Sequence, residues 1–389
     1  MKVGVVGGAL QGTEAIYLSK KAGIETVVID RRKKAPAMSL ADEAVNIDVI
    51  KEPRRAIRVF EDCDAVLPAN ENYETLTSLV KLFENLDVPL MFDMESYDVS
   101  SSKVRSNEMM RKLKVPMPGD WPECGFPVVV KPSGQSGSTG VTKAVTQQEL
   151  EEGIDRVRGI GDDCIVQEFV EGPNISVEVI GNGIEMVPLV ITEVVLDDGY
   201  DCKMVRSPYR KLDADTEMIF MAASEKMAQH MTLNGIMDVE AIVKDGIPKI
   251  LEIDARIPSQ TPAAVLGSSG INIISMLTDS FVKGKLERPR PTKSGAAFYE
   301  HVIVSGSTMR SCGEGVFAGV DRPQLMPGLF KSDEMITDYE PGKNRWRATI
   351  INSGPSEEAA WHKRLACLWE IMEQTGVTRY VNPIPEAMK

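Results

Sequence analysis

Asp238, Glu240, Glu252 and Asp254 are the residues of this chain whose types and spacing point most directly to chemistry. They fall in two strand-like runs, 238–244 and 247–253, on either side of Asp245-Gly246, a dipeptide that favours a two-residue hairpin because both positions accept positive φ. Residues two apart in a strand share a face, so Asp238 aligns with Glu240, and Glu252 with Asp254 and Arg256. The turn then sets Glu240 within one register step of Glu252. Like charges directly opposed destabilise a hairpin. A divalent cation converts that repulsion into binding, and ligands that are all oxygens suit magnesium rather than zinc. A solvated acidic face is the bland alternative. Arg256 on the same row, an anion-binding group beside a cation site, argues against it, as does the stop at Pro258 and Gln260.

A second cluster surrounds Lys131. The run 127–131 reads as a strand that ends in this lysine, and the loop 132–140 after it carries three glycines and three serines. Backbone amides and hydroxyls there suit a polyphosphate, with the ammonium at the base. No G-K-[ST] follows, so this is not a Walker loop. A plain mobile connection would have the same composition. The acidic hairpin downstream favours the phosphate cradle, because phosphates and metal must meet in one cleft.

The elements that position these groups form a βαβ opening: strand 3–6, tight loop 7–12, helix 13–22 and strand 26–30. Strand 65–68, helix 73–86 and strand 89–92 continue the alternation, which predicts a small parallel sheet. Gly7-Gly8-Ala9-Leu10-Gln11-Gly12 invites a dinucleotide reading, but Ala9 stands where the fingerprint wants its second glycine. A helix over 102–114 leads to a boundary at Val115-Pro116-Met117-Pro118. Strands follow at 164–167 and 175–180. The last hundred residues contain strand-like and helical pieces at 298–304, 347–351 and 358–373, with no legible chemistry. His301 reads there as a structural residue, and Trp121, Trp346, Trp361 and Trp369 as packing residues.

Composition removes several function classes. With 44 Lys plus Arg against 57 Asp plus Glu, the formal charge of -13 would repel a phosphate backbone, so nucleic acid is not expected as a partner. The six cysteines are scattered without a C-x-x-C pair, as free thiols in a reducing cytoplasm would be. Three histidines supply neither a zinc site nor a hydrolytic triad well. No apolar run reaches the roughly 18 residues of a spanning helix, and neither a signal peptide nor a membrane anchor is expected.

Lys103, Lys131 with its Gly/Ser loop, the segment Gln167-Glu168-Phe169-Val170, Glu240, and Glu252-Ile253-Asp254-Ala255-Arg256 resemble the ATP-grasp superfamily, in that superfamily's order and over about residues 1–285. The resemblance implies that Lys103, Lys131 and Ser138 hold the nucleotide phosphates and that Gln167, Glu168, Phe169 and Val170 form the adenine-reading hinge. It also implies that Glu240, Glu252 and Asp254 bind magnesium, and that Arg256 stabilises an acyl phosphate. Pro173 and Asn174 stand where some members carry a ribose-binding glutamate, so Glu171 is expected to substitute.

Longer stretches, among them 7–12, 17–23, Asn70-Glu71-Asn72, 200–205, 235–242 and 252–262, are similar to the ligases of pyrrolysine biosynthesis. The implied activity is ATP-dependent joining of 3-methyl-D-ornithine, as its acyl phosphate, to the ε-amine of L-lysine, with ADP and phosphate released. The implied lysine-side residues are Leu10, Gln11 and Glu71, with Asp30 and Asp48 ending neighbouring strands over the same crevice. Ser176, Glu178, Asp201, Asp238 and Ser259 join Arg256 as candidates for the rest of the amino-acid site. Glu71 or Asp238 is the candidate group to deprotonate the lysine amine.

The implied fold class is α/β with ATP-grasp architecture: an N-terminal parallel-sheet (pre-ATP-grasp) domain over 1–93, a central lid domain over 94–180, and a C-terminal antiparallel-sheet α+β domain over 181–389. ATP and Mg2+ are the expected cofactors. Small molecules are the expected partners, no membrane is expected, and a homo-oligomer is compatible with the sequence. An ATP-grasp ligase or carboxylase with other substrates, and a non-catalytic amino-acid or nucleotide sensor, are the alternatives. An NAD-dependent oxidoreductase ranks below both.

Overall fold

A computed structural model describes residues 1–135, 137 and 139–385 of the chain. Its strands form three sheets among those residues. The first is parallel, in the order Glu43–Asn46, Glu25–Asp30, Lys2–Val6, Ala65–Pro68. Its inner strands are buried almost throughout, as continuous Val/Ile runs covered on both faces require. The helix after the first strand spans Leu10–Lys21 and so begins inside the segment expected to be loop. Gly12 permits this start, since a Cβ there would lie 2.0 Å from the Gly7 carbonyl oxygen. The strand expected at 89–92 is reduced to one bridge, Val66 to Leu90, because the chain turns at once, with Phe92 N bonded to Leu90 O.

The second sheet, Thr142–Ala144, Val128–Pro132 and Cys164–Glu168, is a small antiparallel lid backed by the helix Gln147–Gly159. Leu150 and Val157 of that helix pack on Val128 and Val130, a core separate from the rest. The third sheet has twelve strands and carries the acidic hairpin, Asn234–Lys244 and Ile247–Asp254, at one edge. The strand Asn174–Asn182 pairs with this hairpin, and Tyr97, Met109 and Met110 pack into the core beneath it. The span 94–180 is therefore shared between the lid sheet and the large sheet.

The last hundred residues extend the large sheet through Ala296–Ser305 and Arg345–Gly354, covered by the helix Glu357–Thr375. A buried Arg364–Glu300 pair, with Nε to Oε2 at 2.6 Å, ties that helix to the sheet. Trp346 is buried, but Trp369 is 68% exposed and is not a packing residue: it falls on the outward side of the helix. His301 is buried against Thr349, and burial pushes its ring down to about 3, so it stays neutral. All six cysteines are free thiols. No single helix among the described residues is long and apolar enough to cross a membrane.

Candidate active site

The hairpin turns at Asp245 (φ 51°) and Gly246 (φ 75°), the positive-φ pair that Asp-Gly accepts. Lys244 faces Ile247 and Ala241 faces Ile250, but beyond that point the register shifts. Leu251 is passed over, and Glu240 pairs with Glu252, Val239 with Ile253 and Asp238 with Asp254. An uninterrupted ladder would pair Glu240 with Leu251 and turn Glu252 to the opposite face. On its other side the same strand pairs Glu240 with Ser176 and Asp238 with Glu178. Two rows therefore cross three strands: Ser176, Glu240, Glu252 and Glu178, Asp238, Asp254.

Cations from separate elements meet these rows. Lys103 opens the helix Lys103–Leu113 and reaches Glu252 Oε2 at 2.9 Å and the Gln135 carbonyl at 2.7 Å. Burial alone would lower the Lys103 ammonium, but Glu252 outweighs it and holds it above its ordinary value. Lys131, at the end of its lid strand, donates to the carbonyl of the bulged Leu251 at 3.4 Å, and burial pushes it down to about 8. Burial also opposes ionisation of Glu252, yet Lys103 and Lys131 keep its carboxyl below the usual range. Glu240 is pushed well above that range, by burial first and by Glu252 second. The pair is thus split into one readily ionised and one reluctant carboxyl.

Arg256 joins the N-terminal unit to this face. Its Nη2 contacts Asp254 Oδ2 at 2.9 Å and also the carboxylate of Glu71, which accepts from Gln11 Nε2 at 2.8 Å. Leu10 begins the helix that carries Gln11. Three of the expected acceptor-side residues therefore lie together. Asp30 and Asp48 do not join them. Asp30 accepts from the Gly8 amide, 22 residues away, at 2.7 Å, and Asp48 from the Ile50 amide at 3.1 Å, so backbone amides occupy both carboxylates.

Among the described residues no three His, Cys, Asp or Glu side chains are arranged to hold a metal ion alone. The oxygen donors present fit magnesium, which takes one or two carboxylates and fills its shell with phosphates and water. Glu240 and Glu252, opposed across the hairpin, are the two carboxylates that could supply such a donor pair.

The segment expected to form the hinge, 167–170, begins in the lid strand Cys164–Glu168. Gln167 is buried with both amide atoms unpartnered among the described residues. Glu168 is bound by Lys244 at 2.6 Å, which ties the lid strand to the hairpin. The amides of Glu168 and Phe169 bond Gly119 and Pro127, whereas none of the described hydrogen bonds uses that of Val170. Lys143 stands 4.0 Å from the Phe169 ring centroid and 3.5 Å from Glu171, at the exposed rim. Ser138 lies outside the described residues.

On the far side of Arg256 the chain makes a tight turn. Gln260 has φ 75° and ψ -55°, and Thr261 N bonds Ser259 O at 2.9 Å, which is the rare positive-φ γ-turn. Such a conformation costs on the order of 1–3 kcal/mol for a residue with a side chain. Ser259 and Gln260 both donate to Glu314, from the region with no chemistry legible in the sequence. Asp201 approaches Glu314 from the other side, accepting from the Gly315 amide at 3.0 Å. Glu314 and Gln260 were not legible in the sequence: Gly313-Glu314-Gly315 has no motif, and nothing local foretells positive φ at a glutamine. Glu178 is fully buried with neither carboxylate oxygen partnered among the described residues, and burial followed by Asp238 pushes it up to about 8.

Comparison with known proteins agrees with this geometry. A family profile described as an ATP-grasp domain matches residues 100–260, and one described as a PylC-like N-terminal domain matches residues 3–91. A 3-methyl-D-ornithine–L-lysine ligase of Methanosarcina acetivorans is 38% identical over 362 residues, covering 89% of this chain and 96% of the relative. The chain belongs to the 3-methyl-D-ornithine–L-lysine ligase family. A second member of that family, from Methanosarcina barkeri, is 39% identical over 77% of this chain and 78% of its own. Solved structures outside the family share the fold. An N5-carboxyaminoimidazole ribonucleotide synthetase in its ADP complex aligns over 96% of this chain and 98% of its own, with TM-score 0.69 at 18% identity. A biotin carboxylase domain from Hydrogenobacter thermophilus with MgADP aligns over 95% of this chain and 89% of its own, with TM-score 0.72 at 18% identity.

Proposed function

We propose that this chain uses ATP to join 3-methyl-D-ornithine to the ε-amine of L-lysine, through an acyl phosphate, with release of ADP and phosphate. The observation that carries this is the meeting of Lys103, Lys131 and Arg256, from three parts of the chain, on the one carboxylate face that the Leu251 bulge creates. A single cleft thereby offers cations for phosphates beside acids for a metal and for amines.

In this assignment Lys103 and Lys131 hold the phosphates, and Gln167 to Glu171 line the nucleotide. Glu240 and Glu252, with Asp254 next along the strand, would hold magnesium, which when bound supplies charge neutralisation between the phosphoryl group and the attacking carboxylate. Arg256 orients that carboxylate and supports the charge that builds when the amine adds to its carbon. Leu10, Gln11 and Glu71 receive the lysine. Ser176, Glu178, Asp201 and Ser259 receive the methylornithine amines. A lysine amine, with an ordinary pKa of ~10.4, must lose a proton before it attacks. Asp238, which burial pushes up to about 7, accepts protons near neutrality. Residues 1–93 form the acceptor-binding unit, 94–180 include the lid, and 181–389 carry the metal-binding face. We assign the protein to the cytoplasm, where its six free thiols stay reduced.

The test is ADP release with ATP and magnesium, adding L-lysine and 3-methyl-D-ornithine singly and together, with mass spectrometry of the products. A conjugate that appears only with both amino acids is the expected result. ADP without conjugate would redirect the search to another acceptor, and no ADP under any combination would favour a sensor.

A further inference from the structure

Glu314 lies outside both stretches matched by the family profiles, yet it reaches the active-site face. Its Oε2 accepts from Ser259 Oγ at 2.6 Å and from Gln260 Nε2 at 2.7 Å. The segment that carries it is pinned from behind. Asp197 Oδ2 accepts from Gly313 N at 2.9 Å, Asp201 Oδ2 accepts from Gly315 N at 3.0 Å, and a Cβ on Gly313 would lie 2.1 Å from Asp201 Oδ2. Glu314 is therefore held rigidly against the turn three residues after Arg256.

That turn does not hold itself. A glutamine at φ 75° relaxes to negative φ unless its surroundings prevent it. Its side chain is gripped at both ends: Nε2 by Glu314, and Oε1 by the Cys202 thiol, which donates at 2.7 Å. Relaxation would swing the chain between Arg256 and the helix Thr261–Ser269, displacing Ser259 and the arginine segment before it.

We propose that Glu314 is a positioning residue for the ligation, acting through Ser259 and Gln260 to fix the segment that carries Arg256. The inference rests on the role assigned to Arg256 above. It makes the segment beyond the ATP-grasp unit part of the working site, without contact between Glu314 and the reacting atoms.

Two substitutions separate positioning from charge. In Glu314→Gln the side-chain oxygen still accepts from both donors, whereas Glu314→Ala removes the acceptor. The expected result is that Glu314→Ala lowers kcat about 10- to 100-fold, that KM for ATP moves by less than about twofold, and that Glu314→Gln recovers most of the loss. Unchanged turnover in Glu314→Ala, or equal loss in the two variants, would overturn the proposal.

If the alanine variant fails to fold, Gln260→Gly and Gln260→Ala give the same test. Glycine tolerates positive φ and alanine does not, so the glycine variant should be the more active. Equal activity of the two would sink the idea. Hydrogen exchange decides independently of turnover: the amides of Thr261, Ala263 and Ala264 should exchange faster in Glu314→Ala and near the unsubstituted rate in Glu314→Gln. Unchanged exchange refutes the clamp even if the intact protein makes no conjugate, an outcome that would refute the proposed function separately.

Discussion

Glu240 and Glu252 face each other across the hairpin because Leu251 is passed over in the ladder. The carbonyl of that bulged residue receives Lys131, so one irregularity sets both the carboxylate pair and the lysine proposed to hold phosphate. Deleting Leu251 closes the bulge with Glu240 still opposite Glu252, leaves every charged residue in the chain, and removes the carbonyl that Lys131 contacts. If that contact places Lys131 for the phosphates, KM for ATP should rise roughly tenfold, with the circular dichroism spectrum little changed. A deletion variant with KM for ATP unchanged would show that the Leu251 carbonyl does not place Lys131.

Glu252→Gln tests the same pair without touching the backbone. It preserves volume and removes the carboxylate that Lys103 contacts at 2.9 Å. Activity should drop by about two to three orders of magnitude while the melting temperature moves little, since loss of the Lys103 contact is offset by relief of the repulsion between Glu240 and Glu252. Titration of magnesium in the presence of ADP, followed by calorimetry, checks the cause: the variant should bind the metal–nucleotide complex more weakly.

If Lys131 holds the phosphates as proposed, nucleotide capture depends on pH. Burial lowers its ammonium to about 8 in the folded protein, so the charge that meets the phosphates is present below that pH and fades above it. The pH profile of kcat/KM for ATP, which reports the free enzyme, should therefore fall as pH rises through about 8. The stability effect has the opposite sign. Between about 8 and the ordinary value of 10.5 the unfolded chain binds more protons than the folded one, so this group's contribution to stability rises with pH there. Replacing Lys131 with Met should remove both trends.

Glu178 supplies a second, opposite linkage. Its carboxyl is raised from 4.5 to about 8, so the folded protein binds the proton more tightly. Its contribution to stability is fully present below about 4.5 and is lost as pH rises through about 8. Glu178→Gln removes a carboxyl whose oxygens have no hydrogen-bond partner among the described residues. The variant should melt higher than the parent at pH 8 by an amount worth about 1–3 kcal/mol, with the difference shrinking toward pH 5. If Glu178 receives a substrate amine as proposed, KM for the ornithine substrate should rise in the same protein.

The carboxylate rows were legible because strand period and Asp-Gly turn chemistry are local properties. Asp245-Gly246 fixes the turn, and alternation assigns each acid a face to within one residue. The bulge was not legible, since Leu251 differs in no local property from a leucine in a regular strand and the shift is decided by packing around it. The same limit hid the helical start at Leu10, where Gly12 approaches the Gly7 carbonyl, a contact set by tertiary structure. Asp30 and Asp48 illustrate the converse: their place at the ends of successive strands suggested a crevice, but loop amides claim both carboxylates. Glu314 reaches Gln260 across 54 residues of chain, and no periodicity carries information over that distance.

Glu71 tests whether the N-terminal unit receives the acceptor amine. Its carboxylate lies between Gln11 and Arg256, so it can hold a second cation only by sharing itself with the guanidinium. Glu71→Gln keeps the shape and removes the charge. If Glu71 binds the L-lysine ammonium, KM for L-lysine should rise roughly tenfold or more while KM for ATP stays within about twofold. If instead Glu71 only steadies Arg256, both amino acids should be affected alike and kcat should fall with KM for L-lysine unchanged. Gln11→Ala separates the two further. It removes a neutral donor 2.8 Å from Glu71 Oε1, leaves the Arg256 pair intact, and should therefore raise KM for L-lysine by a smaller factor with little change in kcat. An equal response of the two variants in kcat, with no change in KM for L-lysine, would remove the acceptor site from this crevice.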